Sequence, residues 1–155
     1  MHVTEHLDKA KDTLFSFEII PPPRGKTVRD IIDIDEQIAP VNPPFVDVTS
    51  HMAEATYDEL PDGSIKRRVK KKRPGTISIC CIIQNRYGID TVPHLLCAGF
   101  TREVTEDAII GLNYLGIHNV LAIRGDESNY RKELAQGRTR KIFAKDLVKQ
   151  LVDLR

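Results

Sequence analysis

The chain has 155 residues, 41% of them hydrophobic and 29% charged, with a formal net charge of +1. That is enough for one domain with a core of its own, and the near-neutral balance sets up no global field toward nucleic acid or membrane. No apolar run approaches the ~20 residues that span a bilayer, and the three cysteines, Cys80, Cys81 and Cys97, lack both the even count of a disulfide framework and CxxC spacing.

The opening MHVTEHLDKAKD is polar and lacks the apolar core of a secretory signal. Val3, Leu7 and Ala10 suit a short amphipathic helix. A reduced, cytoplasmic compartment is expected. His94 and Cys97 form an HxxC pair, but no second pair completes the roughly four ligands of structural zinc, so no metal site is assigned.

In FSFEIIPPP, residues 15–23, apolar and polar side chains alternate as in a strand. Three prolines cannot continue a ladder, so the strand stops at Ile20. Thr27 can cap a helix through about Ala39, with Ile31, Ile34 and Ile38 on one face. FVDVTS, residues 45–50, is a second strand. A polar stretch follows, with the hairpin signal Asp62-Gly63 between short charged flanks. An exposed, charged two-stranded insertion is expected at about residues 52–74.

TISICCIIQNRYG, residues 76–88, is β-branched like a strand but as long as a helix, with a closing Gly88. It lies between two strands that read as parallel, and parallel strands need a crossover. A helix is therefore expected. VPHLLC, residues 92–97, is the third strand. Thr101 caps the next helix, with Val104, Ala108, Leu112 and Leu115 inward and Gly116 at its end. NVLAIRGD, residues 119–126, is the fourth strand. Leu147, Val148, Leu151 and Leu154 mark a last helix from Phe143.

Four strand–helix units in sequence predict an α/β fold with a parallel sheet. No GxGxxG follows a strand, which disfavours a dinucleotide-binding Rossmann unit. The expectation is a single domain over residues 1–155, made of about the first half of a TIM (β/α)8 barrel, which takes about 250 residues when complete. Half a barrel would leave two open strand edges, so a homo-oligomer or a non-catalytic fragment is a competing expectation.

Barrel chemistry gathers at the C-terminal ends of the strands. Those ends carry Glu18, Thr49, His94 and Arg124-Gly125-Asp126. An unpaired Glu18 in the barrel mouth, with Phe15, Phe17 and Ile19 turned outward, would be poorly solvated. Its pKa should then rise, which suits a general acid. A structural carboxylate paired with Arg124 is the other reading. Gly125 would let the backbone approach a ligand, Arg124 could bind a phosphate or carboxylate, and Asp126 could stabilise a developing cation. A solvated turn is the alternative there. His94 divides between a cofactor contact and a hydrogen-bonded structural place.

KRRVKKKR, residues 66–73, holds seven basic residues in eight. It reads as a solvated hairpin arm, or as a site for nucleic acid or another anion. No aromatic residues are interleaved for base stacking, so nucleic acid is the weaker reading.

Taken together, FSFEIIPPP, FVDVTS, PHLLC, LAIRGD and FAKDLV resemble the four strands and following helix of the methylenetetrahydrofolate reductase family. HLLCAGFT and LGIHNVLAIRGD are the most specific stretches. The resemblance implies a (β/α)8 flavoprotein of one-carbon metabolism and methionine biosynthesis. Such an enzyme binds FAD, takes a hydride from NADH or NADPH, and converts 5,10-methylenetetrahydrofolate to 5-methyltetrahydrofolate. It further implies Glu18 as the acid that opens the folate ring to an iminium ion, and Asp126 beside flavin and folate. Thr49, His94, Arg124, Gly125, Asp126 and Ala144 match cofactor-contacting positions. Where the family commonly has Tyr-Gly-Ala after the second strand, this chain has the bulkier Ser50-His51-Met52.

Overall fold

The computed structural model describes residues 1–71, 73–97, 100–125, 134 and 136–154. A short helix, α1 (Val3–Lys9), comes first. Its docking is polar rather than apolar. Leu7 is 57% exposed, and the helix is held instead by His6 Nε2 against Asp90 Oδ2 at 2.7 Å and by the Val3 amide donating to Asn119 Oδ1.

Strand β1 (Phe17–Ile19) is shorter than its alternating pattern suggests. Phe15 is 68% exposed, so the outward-facing apolar row begins only at half-buried Phe17 and buried Ile19. Thr27 then caps α2 (Val28–Ile38) by accepting from the Arg29 amide, and Asp30 bonds back to the Thr27 amide. That reciprocal pair satisfies two free donors of the first turn. Pro40 lies in a single 3-10 turn before β2 (Phe45–Val48).

The segment between β2 and the next helix forms an antiparallel hairpin, β3 (Glu54–Glu59) and β4 (Ile65–Lys70). Gly63 takes the left-handed conformation in its turn, where a side chain would be strained. Every β4 residue is exposed. Its charges face acids across the ladder: Lys66 opposes Asp58, Lys70 opposes Glu54, and Arg68 Nε lies 2.6 Å from Asp58 Oδ2.

Helix α3 (Thr76–Tyr87) ends at Gly88 in the left-handed conformation. The crossover requirement thus overrides β-branched propensity in this stretch. Strand β5 (Asp90–Leu96) starts two residues before the apolar run VPHLLC. Thr101 caps α4 (Arg102–Tyr114), accepting from the Val104 amide. Beyond it the Ile117 amide reaches back to Leu112 O, with Gly116 left-handed. Strand β6 (Leu121–Ile123) and helix α5 (Ala144–Asp153) complete the order. Leu147 is buried in α5, but Val148 is 47% exposed, so it does not belong to the inward row.

The main sheet is parallel, in the order β1-β2-β5-β6. Space order follows chain order. With right-handed crossovers this monotonic order sends successive helices to the same side of the sheet. The core agrees. Ile19, Val46 and Val48 cluster with Ile31 of α2, Ile79 and Ile83 of α3, and Leu112 of α4. Leu95 clusters with Ala108 of α4 and Leu147 of α5. Full burial of each such Val, Leu or Ile side chain contributes about 1.5–3 kcal/mol. Side chains alternate across a strand, so the intervening residues, Glu18, Asp47 and His94 among them, point to the opposite face. Closure into a barrel is not part of the described sheet.

Candidate functional site

The site is built by register. In parallel β1 and β2, Glu18 lies beside Asp47; in β2 and β5, Asp47 lies beside Val92. His94 is two residues further along β5 and so on the same face. His94 Nε2 is 3.7 Å from Asp47 Oδ1 and 3.9 Å from Glu18 Oε2. These separations permit strong Coulombic interaction but exceed a hydrogen bond. His94 is buried, and among the described residues its Nε2 has no hydrogen-bond partner.

Solvation within the trio is uneven. The Glu18 side chain is 59% exposed, against 22% for Asp47 and 5% for His94. The poor solvation expected of Glu18 is therefore not found. Strand β1 is at the edge of the sheet, so its side chain reaches water. The shielded carboxylate is Asp47. Burial pushes its pKa up, His94 pulls it down, and the Glu18 charge pushes it up again.

His94 is not at the end of its strand: two residues of β5 follow it. Thr49 directly follows β2. Its amide donates to Ile19 O at 3.0 Å, and its hydroxyl oxygen lies 3.0 Å from His51 Nε2. The Thr76 hydroxyl donates to Thr49 O, tying the start of α3 to this strand end. A cavity of about 420 Å³ opens here, lined by His94, Leu96, Met52, Lys71, Thr76 and Phe100 among others. Ser50, His51 and Met52 also border it, so the bulkier turn faces the cavity.

Arg124 is exposed just past β6. Gly125 has φ +84°, and a Cβ there would come within 3.4 Å of Leu96 Cδ2. The close approach it permits is to this cavity-lining leucine. Ala144 is the first residue of α5 and half-buried. Asp126 lies outside the described residues. No group of three or more His, Cys, Asp or Glu suited to a metal ion occurs among the described residues. The three cysteines are free thiols, and burial pushes Cys80 up to about 12, which leaves it unreactive.

Asp47 is the residue that strand-end reasoning missed. The signal was present: FVDV repeats the apolar–acid–apolar pattern of FSFEI.

The methylenetetrahydrofolate reductase family model matches residues 2–153. The chain belongs to this family. It is 27% identical over 154 residues to a probable methylenetetrahydrofolate reductase (NADH) of Oryza sativa subsp. japonica, covering 97% of this chain and 23% of that protein. It is 28% identical to methylenetetrahydrofolate reductase 1 of Schizosaccharomyces pombe, covering 94% and 22%. Against the 5,10-methylenetetrahydrofolate reductase of Buchnera aphidicola it is 30% identical, covering 88% and 39%. The chain thus spans between about a fifth and two fifths of these methylenetetrahydrofolate reductases.

Proposed function

We propose that this protein acts in the reduction of 5,10-methylenetetrahydrofolate to 5-methyltetrahydrofolate, with FAD as cofactor and NADH or NADPH as hydride donor. The observation that carries the reading is the family match over nearly the whole chain. The ionisable cluster Glu18, Asp47 and His94, on the sheet face opposite the helices, supplies groups of the right chemistry. We further propose that the sheet is part of a (β/α)8 barrel, completed by more chain or by another copy, in the cytoplasm.

The residues present fit a flavin. His94, whose buried Nε2 has no hydrogen-bond partner among the described residues, lines a cavity large enough for part of a cofactor. Thr49 and His94 would contact it. Arg124, the Gly125 backbone and Ala144 would hold its remaining reach on this chain. A bound flavin supplies the hydride carrier between nicotinamide and folate.

Glu18 would hold a proton at its carboxyl oxygen and deliver it to a ring nitrogen of the folate. The carbon–nitrogen bond breaks, its electron pair stays on that nitrogen, and the other nitrogen carries the iminium charge. General acid catalysis of this kind is worth about a hundred- to ten-thousand-fold. Solvent would restore that proton between turnovers. Asp126, by its match in sequence, would stabilise the cation.

The test is the visible spectrum of the purified protein after FAD is added and excess removed, followed by folate reduction with NADH and with NADPH. Flavin retained near one per chain, with turnover, supports the reading. A colourless protein without turnover overturns it and leaves a non-catalytic fragment. Salt-sensitive binding of polyanions abolished by charge reversal at Lys70 and Lys71 would instead favour the basic hairpin as the functional surface.

A further inference from the structure

Among the described residues of the sheet face, Asp47 is a shielded carboxylate in register with Glu18 and 3.7 Å from His94. Neighbouring strands place its Cα about 4.8 Å from that of Glu18, with both side chains on the same face. Carboxylates at such neighbouring positions repel each other when both are ionised. His94 stands between them in reach, 3.7 Å from one and 3.9 Å from the other, and its Nε2 has no bond among the described residues. A buried nitrogen left unpaired costs about 1–3 kcal/mol. A small turn of the imidazole toward either carboxylate removes that cost.

We propose that Asp47 is a positioning residue that holds His94 and joins it to Glu18, so that the three groups share protons as one unit. The proposal rests on Glu18 being the acid of the proposed reaction. The exposed end of the unit, Glu18, meets substrate and water. At the shielded end, burial makes the charge of Asp47 costly and favours its protonated form. His94 accepts a proton at Nε2 from Asp47 and returns it from Nε2 to the Glu18 carboxylate. Each transfer within the unit conserves its proton count. One proton leaves when Glu18 protonates the folate nitrogen, and water restores it.

The groups that act on Asp47 are Glu18 from β1 and His94 from β5, and Cys80 of α3 senses its charge from the other side of the sheet. Cys80 stays a neutral thiol at working pH and leaves the balance to the other two.

The experiment follows the Asp47 carboxyl carbon by NMR in protein labelled with 13C-carboxyl aspartate, the signal being assigned by its loss in Asp47→Asn. No substrate or flavin is needed. Glu18→Gln removes a negative neighbour and should move the Asp47 midpoint down by about half a pH unit or more. His94→Gln removes the neighbour that pulls the Asp47 pKa down and should move the midpoint up. Glu18 is exposed, so its variant should fold even if the buried His94 substitution does not. An unmoved midpoint in Glu18→Gln, or a shift of the same sign in both variants, overturns the proposal. A second readout is the pH profile of kcat/KM. Asp47→Asn should displace its limbs, whereas a merely structural loss would lower it at every pH. A fully active Glu18→Gln would sink the assignment of the acid while leaving the NMR result to stand by itself.

Discussion

Glu18 and Asp47 are register partners on adjacent parallel strands, one open to water and the other largely shielded by protein. The same spacing that pairs their backbones makes their charges interact. Replacing the exposed member tests chemistry with little risk to the fold. Glu18→Gln should lower kcat for folate reduction about a hundred-fold or more. Flavin retention and melting temperature should stay close to wild type. Equal loss of flavin would instead mark Glu18 as a binding residue.

A different carboxylate should control stability. Asp35 on α2 is 2% exposed, and its Oδ2 has no partner among the described residues. Burial raises its pKa from 3.8 to about 6, with Arg86 opposing the rise. Between about pH 4 and 6 the folded state therefore binds more protons here than the unfolded state. Stability from this group falls as pH rises through that window, by up to about 3 kcal/mol, and the penalty is complete above it. Asp35→Asn should flatten the pH dependence of denaturant unfolding between pH 4 and 6 and stabilise the protein at pH 7.5. An unchanged profile would mean that Asp35 is not the group responsible.

The contact of α1 is electrostatic and has the opposite sign. Burial alone would push Asp90 up, but bonds from the terminal amine and from His6 outweigh it and hold its pKa below the usual carboxylate range. Its stabilisation is present above the unfolded pKa and is lost as pH falls through the lower folded value. Asp90→Asn should release α1 at neutral pH at a cost of about 1 kcal/mol. Amide exchange over residues 3–9 should then quicken by about fivefold, with the rest of the sheet unaffected.

Gly125 offers a steric test. At φ +84° an L-residue is strained, and the new methyl would press on Leu96. Gly125→Ala should destabilise by about 1–2 kcal/mol, lowering the melting temperature by several degrees. It should also disturb the cavity wall, and with it flavin affinity. A neutral melting temperature would show that the loop relaxes freely.

The architecture was legible wherever local chemistry and topology agreed. Thr27 and Thr101 announce their helices because their hydroxyls cap free amides. Residues 76–87 were legible as a helix only through topology, since Ile and Cys at those positions carry little helical preference. Sequence could not say how well each strand position is covered. Glu18 was expected to be desolvated, but coverage depends on strand order, and β1 lies at an edge. Val3, Leu7 and Ala10 suited an amphipathic α1, but Leu7 is exposed and salt bridges hold the helix instead. Asp47 was overlooked because its importance comes from register with Glu18 and proximity to His94, neither of which is a property of its own segment.

The monotonic strand order has a consequence for how the protein comes to be made. Each strand of the main sheet pairs with the main-sheet strand made before it, so that sheet can grow in chain order as the chain emerges. The leading helix cannot follow that schedule. Its anchors are Asp90 at the start of β5 and Asn119 just ahead of β6, some hundred residues downstream. Helix α1 is thus made well before the segments that anchor it, and its docking reports that most of the described sheet already exists.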